Sequence, residues 1–277
     1  MSEKLPDGFK FSQSSLQDYV DCARRFQLRY MESQVWPGVQ AEPLLEHERH
    51  LDRGAEFHRL VERHQLGMDA SLLSARISDL DLLAWWRAYL GFDYLHGLEG
   101  RRYAEYTLSA RVGSVVLVAT FDLLVVGERV VIFDWKTYSR RPALRWFESR
   151  LQTRVYPYVV CSSGFGGGVD PERVSMVYWL AGVPDRSVYV QYDSVRFEKD
   201  RRFLGGLVSG VRERLSSSEV VWPLTVDEAR CGFCEYRSLC GRGGSSGVLD
   251  EVGLSLANIA GEGGLVLGLV DVEEFGF

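Results

Sequence analysis

The sequence predicts an α/β protein in which a central mixed sheet is flanked by helices. Three observations lead there. Strand-like apolar runs between Tyr103 and Phe133, and again between Val174 and Tyr192, are separated by a helical stretch and preceded by three others, a mixed order that suits helices packed on a sheet. The run VATFDLLVVGERVVIFDWKT, Val118 to Thr137, is apolar on both sides of a turn, as in strands covered on both faces. Into that run the chain places Asp122, Asp134 and Lys136. Charges there are costly unless something binds them, and a divalent metal and a phosphate would do so.

In chain order, Ser14-Ser15 caps a helix reaching about Ser33, with Leu16, Tyr19, Phe26 and Tyr30 on its apolar side and Cys22 in its middle. Pro37 and Gly38 mark a loop. A helical insert over about 40–100 follows. Its first helix, Glu46 to Leu66, carries Gly54, His58 and Glu62 four residues apart, hence on nearly one face. Its second part, Leu72 to Leu95, is a helix or helix pair with Trp85, Trp86 and Tyr89 in the core. Tyr103 to Ala110 and Gly113 to Ala119 read as strands leading into Val118 to Thr137. There, Gly127-Glu128 suits a two-residue II′ hairpin turn. Asp134 and Lys136, two residues apart on a strand, point to the same side.

Downstream, Ala143 to Cys161 is a helix with Gln152 and Tyr156 on one face and a kink at Pro157. Strands Val174 to Leu180 and Ser187 to Tyr192 and an amphipathic helix, Glu198 to Leu215, complete the body. Trp222 to Arg242 is compact and Cys-rich. Residues 1–241 therefore read as one domain, and 242–277 as a Gly-rich linker with an acidic tail.

Apolar content of 46% and charged content of 25% are ordinary for a soluble globular protein. The polar N-terminus carries no signal peptide, and no apolar run approaches ~18 residues. A cytoplasmic protein without a membrane span is expected. The net charge of −6 comes from the tail: Asp250, Glu251, Glu262, Asp271, Glu273 and Glu274 account for all of it, and the body is neutral. Only four of the bases are lysines (Lys4, Lys10, Lys136, Lys199), which sets Lys136 apart.

Cys231, Cys234 and Cys240 cluster in a short polar segment. Three thiolates at that spacing suit a metal and lack one ligand, for which Cys22 is the candidate. Four thiolates hold Zn²⁺ or an iron–sulfur cluster, and spacing does not choose. Cys161 reads as a small buried apolar residue.

These pieces occur in a known order. S-x-L-x-x-Y-x-x-C-x-R-x-F (Ser14 to Phe26), G-x-x-x-H (Gly54 to His58), Asp122, D-W-K-T (Asp134 to Thr137), Q-x-x-x-Y (Gln152 to Tyr156) and C-x2-C-x5-C follow one another. The chain thereby resembles the RecB-like, iron–sulfur branch of the PD-(D/E)XK nucleases, including CRISPR-associated RecB-like exonucleases and the nuclease domain of AddB. It departs from the pattern at Ala119, where the family often has Gly, and at Ala23, where Pro usually follows the first cysteine. The resemblance implies a restriction-endonuclease-like sheet and hydrolysis of DNA ends. It implies Mg²⁺ or Mn²⁺ on His58, Asp122, Asp134 and the carbonyl of Trp135, with Lys136 at the water and the phosphate. Gln152 and Tyr156 would orient Lys136 or the DNA backbone. Cys22, Cys231, Cys234 and Cys240 would hold a [4Fe-4S] cluster. DNA is the implied partner, with CRISPR integrase proteins or a helicase beside it.

Plainer readings compete. Asp134 and Lys136 alone would pass for a surface ion pair, and His58 for a satisfied helix histidine. Glu62 and Glu105 read as solvated faces before second carboxylates. His47, His50, His64 and His96 read as ordinary. Arg24, Arg25, Arg29, Arg140, Arg141 and Arg145 could contact phosphates. The competing function is a non-catalytic nucleic-acid-binding or assembly module stabilised by zinc or an iron–sulfur cluster.

Overall fold

A computed structural model describes residues 5–36, 42–138, 141–232 and 234–243; the predicted acidic tail, most of the linker and Arg140 lie outside them. In chain order the elements are β1 (Phe11–Ser12), α1 (Gln13–Asp21), α2 (Ala23–Phe26), α3 (Glu42–Gln65), α4 (Ala70–Ser74), α5 (Leu80–Leu90), α6 (Asp93–His96), β2 (Arg101–Val112), β3 (Val115–Val126) and β4 (Val130–Lys136). Then come α7 (Leu144–Ser149), α8 (Leu151–Ser162), β5 (Val174–Leu180), β6 (Val188–Gln191) and α9 (Ser194–Ser216). One six-stranded sheet has the order β1-β3-β4-β5-β6, with β2 along the opposite edge of β3. The β2–β3, β3–β4 and β5–β6 pairs are antiparallel. β4 and β5 are parallel, joined by the α7–α8 crossover, as a parallel pair requires.

β4 alternates strictly between two cores. Val130 and Ile132 face Phe147, Leu151, Val155 and Val159 of α7–α8 and Leu204 and Val208 of α9. Val131, Phe133 and Trp135 face Phe57, Leu60 and Val61 of α3 and Trp85, Trp86 and Tyr89 of α5. Both faces are thus covered, as the doubly apolar strands predict. Asp134 and Lys136 fall in phase with Val130 and Ile132, on the α8 side.

Several boundaries differ from the sequence reading. The two strands expected over 113–126 are one, β3, whose long hairpin with β2 runs from Arg101↔Val126 to Val112↔Val115. The helix expected to follow a Ser14-Ser15 cap and reach Ser33 starts instead at Gln13, where Ser12 and Ser15 form a reciprocal capping box. It also breaks at Cys22, which is extended (φ −164, ψ 113), before resuming as α2 and a π-helical turn, Gln27–Met31. The helix expected from Ala143 breaks at Arg150 (ψ 138), not at Pro157. Trp222 stacks on Phe26 (5.8 Å, 2° between planes), and its N–H donates to Gln27 Oε1 at 2.8 Å. This packs the segment after α9 against the start of the chain.

The β3–β4 turn is not a two-residue II′ turn either. Three residues, Gly127 to Arg129, separate the last pair, Val126↔Val130, and Gly127 has no positive φ. Gly127 is required by close approach instead: a Cβ there would lie 2.5 Å from the Glu99 carbonyl oxygen. Gly127→Ala should therefore lower the melting temperature, costing about 1–3 kcal/mol of stability by overpacking. Gly205→Ala, in α9 where a Cβ meets nothing within 4 Å, should raise it, since helical glycine costs about 0.5–1 kcal/mol. Thermal denaturation of both variants checks the opposite signs.

Candidate active site

β4 carries Asp134 into the interior, where it is 2% exposed. Its Oδ2 lies 2.7 Å from Lys136 Nζ. Its Oδ1 accepts a hydrogen bond from the Gln152 amide of α8. The i, i+2 spacing on a strand and the inward face of α8 bring the three together. Gln152 thus acts on Asp134, whereas the resemblance had it orienting Lys136 or the DNA. Tyr156, one turn on, sets its ring edge-on to Phe121 at 5.1 Å.

Trp135 buries its indole in the opposite core, and its backbone N–H and carbonyl both serve the site. The N–H donates to Asp122 Oδ2 at 2.8 Å, and the carbonyl oxygen lies 3.0 Å from His58 Nε2. His58 Nδ1 lies 3.5 Å from Asp122 Oδ1. The imidazole therefore has an acceptor at each nitrogen. α3 reaches this close to β4 because residue 54 is glycine: a Cβ would sit 3.3 Å from Thr137 Oγ1. The G-x-x-x-H and D-W-K-T segments are packing partners.

Glu105 is exposed, as the sequence reading expects, and it also reaches the site: ligand atoms of His58, Glu105 and Asp122 all lie within 4.8 Å of one another. The charges fit that crowding. Burial raises the Asp134 carboxyl and Asp122 adds to it, against the pull of Lys136. Burial raises Glu105 likewise, again with Asp122 adding. Burial would discharge Lys136, but Asp134 outweighs it and keeps the ammonium charged. Burial also works against a charged His58, and Asp122 overrides it, so the imidazole holds its proton above its ordinary range. Carboxylates, an imidazole and a carbonyl around one space form a hard, mostly oxygen donor set that suits Mg²⁺ or Mn²⁺.

Cys22, Cys231, Cys234 and Cys240 line a second cavity together with Arg25, Arg230 and Arg237. The extended backbone at Cys22 that interrupts the first helix lies at this cavity. Burial pushes the Cys231 and Cys240 thiols up, and the neighbouring thiols push further. Cys161 is elsewhere, packed on the α8 core with its thiol pushed up to about 12 by burial, in line with an apolar role.

Other expectations divide. Trp85 and Trp86 are core residues, and His64 bonds to Tyr89 Oη at 3.0 Å. Arg24, Arg25 and Arg29 are taken up internally: Arg24 pairs with Glu32 at 2.6 Å, Arg25 with Asp18 and Asp21 at 2.9 and 2.7 Å, and Arg29 with Asp18 and Glu235. Their carboxylate partners argue against a phosphate-binding role, and Arg29, through Glu235, also ties the two ends of the chain together. Arg141 and Arg145 are exposed.

Among the described residues, no helix is long and apolar enough to cross a membrane. No match is found among curated proteins. Among solved structures, one titled "Crystal structure of SSO0001" is similar with a TM-score of 0.40 and 13% identity, over 86% of this chain and 89% of that one. The sequence profile of the PD-(D/E)XK nuclease superfamily, whose enzymes cut nucleic acid with divalent metals, matches residues 10–241. That span takes in every element from the first helix to the last cysteine, and by it the chain belongs to the PD-(D/E)XK nuclease superfamily.

Proposed function

We propose that this chain is a Mg²⁺- or Mn²⁺-dependent DNA exonuclease that hydrolyses phosphodiester bonds at DNA ends, in CRISPR adaptation or recombinational repair. The observation that carries the reading is the buried Asp134–Lys136 pair, 2.7 Å apart, set beside Asp122 and His58. His58, Asp122, Asp134 and the Trp135 carbonyl would hold the cation. Bound there, a divalent ion supplies a water nucleophile at neutral pH and offsets charge on the phosphate. The chain's own groups do the rest. Lys136 Nζ stays charged and, released from Asp134 towards the substrate, faces the oxyanion that develops as water attacks phosphorus. Gln152 fixes the Asp134 carboxylate by donating to Oδ1. Tyr156 keeps its phenol protonated, since burial and then Asp134 and Asp122 raise it, and so remains a donor.

A [4Fe-4S] cluster on Cys22, Cys231, Cys234 and Cys240 belongs to the same reading. Four cysteines from both ends of the chain lining one cavity support it. Arg25, although paired with Asp18 and Asp21, also favours the charged forms of Cys231 and Cys234. Its role would be structural, closing the ends of the chain over the sheet. The sequence has no G-x-x-x-x-G-K-[ST] motif, so unwinding would fall to a partner helicase. A CRISPR integrase is the alternative partner, and the setting is cytoplasmic.

End-labelled single- and double-stranded DNA tests the activity. With Mg²⁺ or Mn²⁺ the wild type should release nucleotides from the ends, and Asp134→Ala and Lys136→Ala should each be about 10²-fold slower or worse. Equal activity in all three would refute the site, and binding without cleavage by the wild type would favour the assembly module. Protein purified without oxygen should be brown, and Cys231→Ser colourless. A colourless wild type with stoichiometric zinc would overturn the cluster and leave the nuclease standing.

Because His58 holds its proton more tightly than a free imidazole, protons should compete with the cation from above the ordinary value of about 6.5. Mn²⁺ affinity measured by calorimetry should fall about tenfold or more from about pH 8 to about pH 6. Affinity constant over that range would contradict the ligand set.

A further inference from the structure

β2 and β3 pair along their whole length except at one place. Residues 101–104 pair with 123–126 and residues 106–112 with 115–121, and between them the Glu105–Asp122 pair is missing. Both strands change phase there. In β3, Leu117, Ala119 and Phe121 face the α8 core at a spacing of two, but the next to do so is Leu124. In β2, Tyr106 and Leu108 face that core, and the one before them is Tyr103. Leu123 and Ala104 turn to the α3 core instead. Each strand therefore carries one residue outside its alternation, and the two residues are the two acids.

Glu105 makes that break with φ +46, in the left-handed region that L side chains rarely adopt. Glu105 is exposed, its carboxyl lies beside Asp122 and His58, and among the described residues no Lys or Arg forms an ion pair with it. Asp134, by contrast, already has both oxygens engaged, by Lys136 and by Gln152. On the His58 side of the centre, Asp122 and Glu105 are the two carboxylates that face the imidazole.

We propose that Glu105 is a direct ligand of the divalent cation, with His58 and Asp122, an acidic arm of the centre that the Asp122 and D-W-K-T pattern does not include. This rests on the metal-dependent reading of the site. Glu105 stands on β2 and Asp122 on β3, while His58 stands on α3. The cation would therefore join three elements where the β2–β3 pairing is interrupted.

Calorimetric titration of MnCl₂ into the full chain tests this, with thermal unfolding alongside. Glu105→Gln should weaken Mn²⁺ binding about 10–100-fold and shrink the rise in melting temperature that Mn²⁺ gives, with the metal-free melting temperature unchanged or higher. Glu105→Gly, suited to the left-handed backbone, should do the same and keeps the test open if the Gln variant does not fold. Asp122→Asn separates the two readings. Wild-type Mn²⁺ affinity in both Glu105 variants with loss in Asp122→Asn would overturn Glu105 as a ligand and spare the centre. Unchanged binding in every variant would overturn the centre itself.

Discussion

A carboxylate in the middle of a sheet, shut off from water, is the constraint on which the rest of this structure depends. Asp134 cannot be ionised there without partners, because desolvation costs several kcal/mol per ion. Lys136 and Gln152 offset part of that cost, and each needs a particular piece of the fold. Lys136 reaches Asp134 because a strand returns every second side chain to one face. Gln152 reaches it because α8 crosses that face, carried there by the crossover between the parallel strands β4 and β5. The same enclosure gives a charged amine its value at a developing phosphate charge, since water is kept from screening it. Fold and chemistry make the same demand on these residues.

The opposite side of β4 solves a different problem. Trp135 fills the core under α3 while its N–H and carbonyl oxygen serve Asp122 and His58. A bulky ring in the middle of D-x-K thereby fixes the backbone that touches both Asp122 and His58. Gly54 lets α3 come close enough for His58 to reach that carbonyl. The ends of the chain are tied by Phe26 on Trp222, by Arg29 between Asp18 and Glu235, and by Arg230 to Asp21 at 2.5 Å. These contacts bring Cys22 to the three C-terminal cysteines, so the thiol cavity and the aromatic clamp support each other.

What the sequence made legible followed from periodicity. Asp134 and Lys136 share a face because strands alternate, Gln152 and Tyr156 because helices repeat, and Trp85 with Trp86 lie in the core because they fall on the apolar side of α5. What it hid was set by tertiary contacts. The residues on both sides of Cys22 favour helix, and the break there shows only once Cys22 lies beside the C-terminal cysteines. Gly127 looked like a turn residue, and its cause, the Glu99 carbonyl, is distant in the reading of a turn. Arg24, Arg25 and Arg29 looked free because most of their acids lie across the break at Cys22 or further along the segment, and Glu235 lies at the far end of the sequence. Glu105 left one trace: the apolar spacing in RRYAEYTL is three from Tyr103 to Tyr106 and two afterwards. A phase slip in one strand is weak, and only its match with the slip at Asp122 in the partner strand makes it informative.

The most direct measurement is anomalous diffraction from a crystal of the full chain soaked in Mn²⁺. The predicted result is a manganese peak within coordination distance, about 2.0–2.6 Å, of His58, Asp122 and the Trp135 carbonyl. A manganese-free centre, with the ion bound elsewhere or not at all, would contradict a metal-dependent nuclease site at this place in the fold.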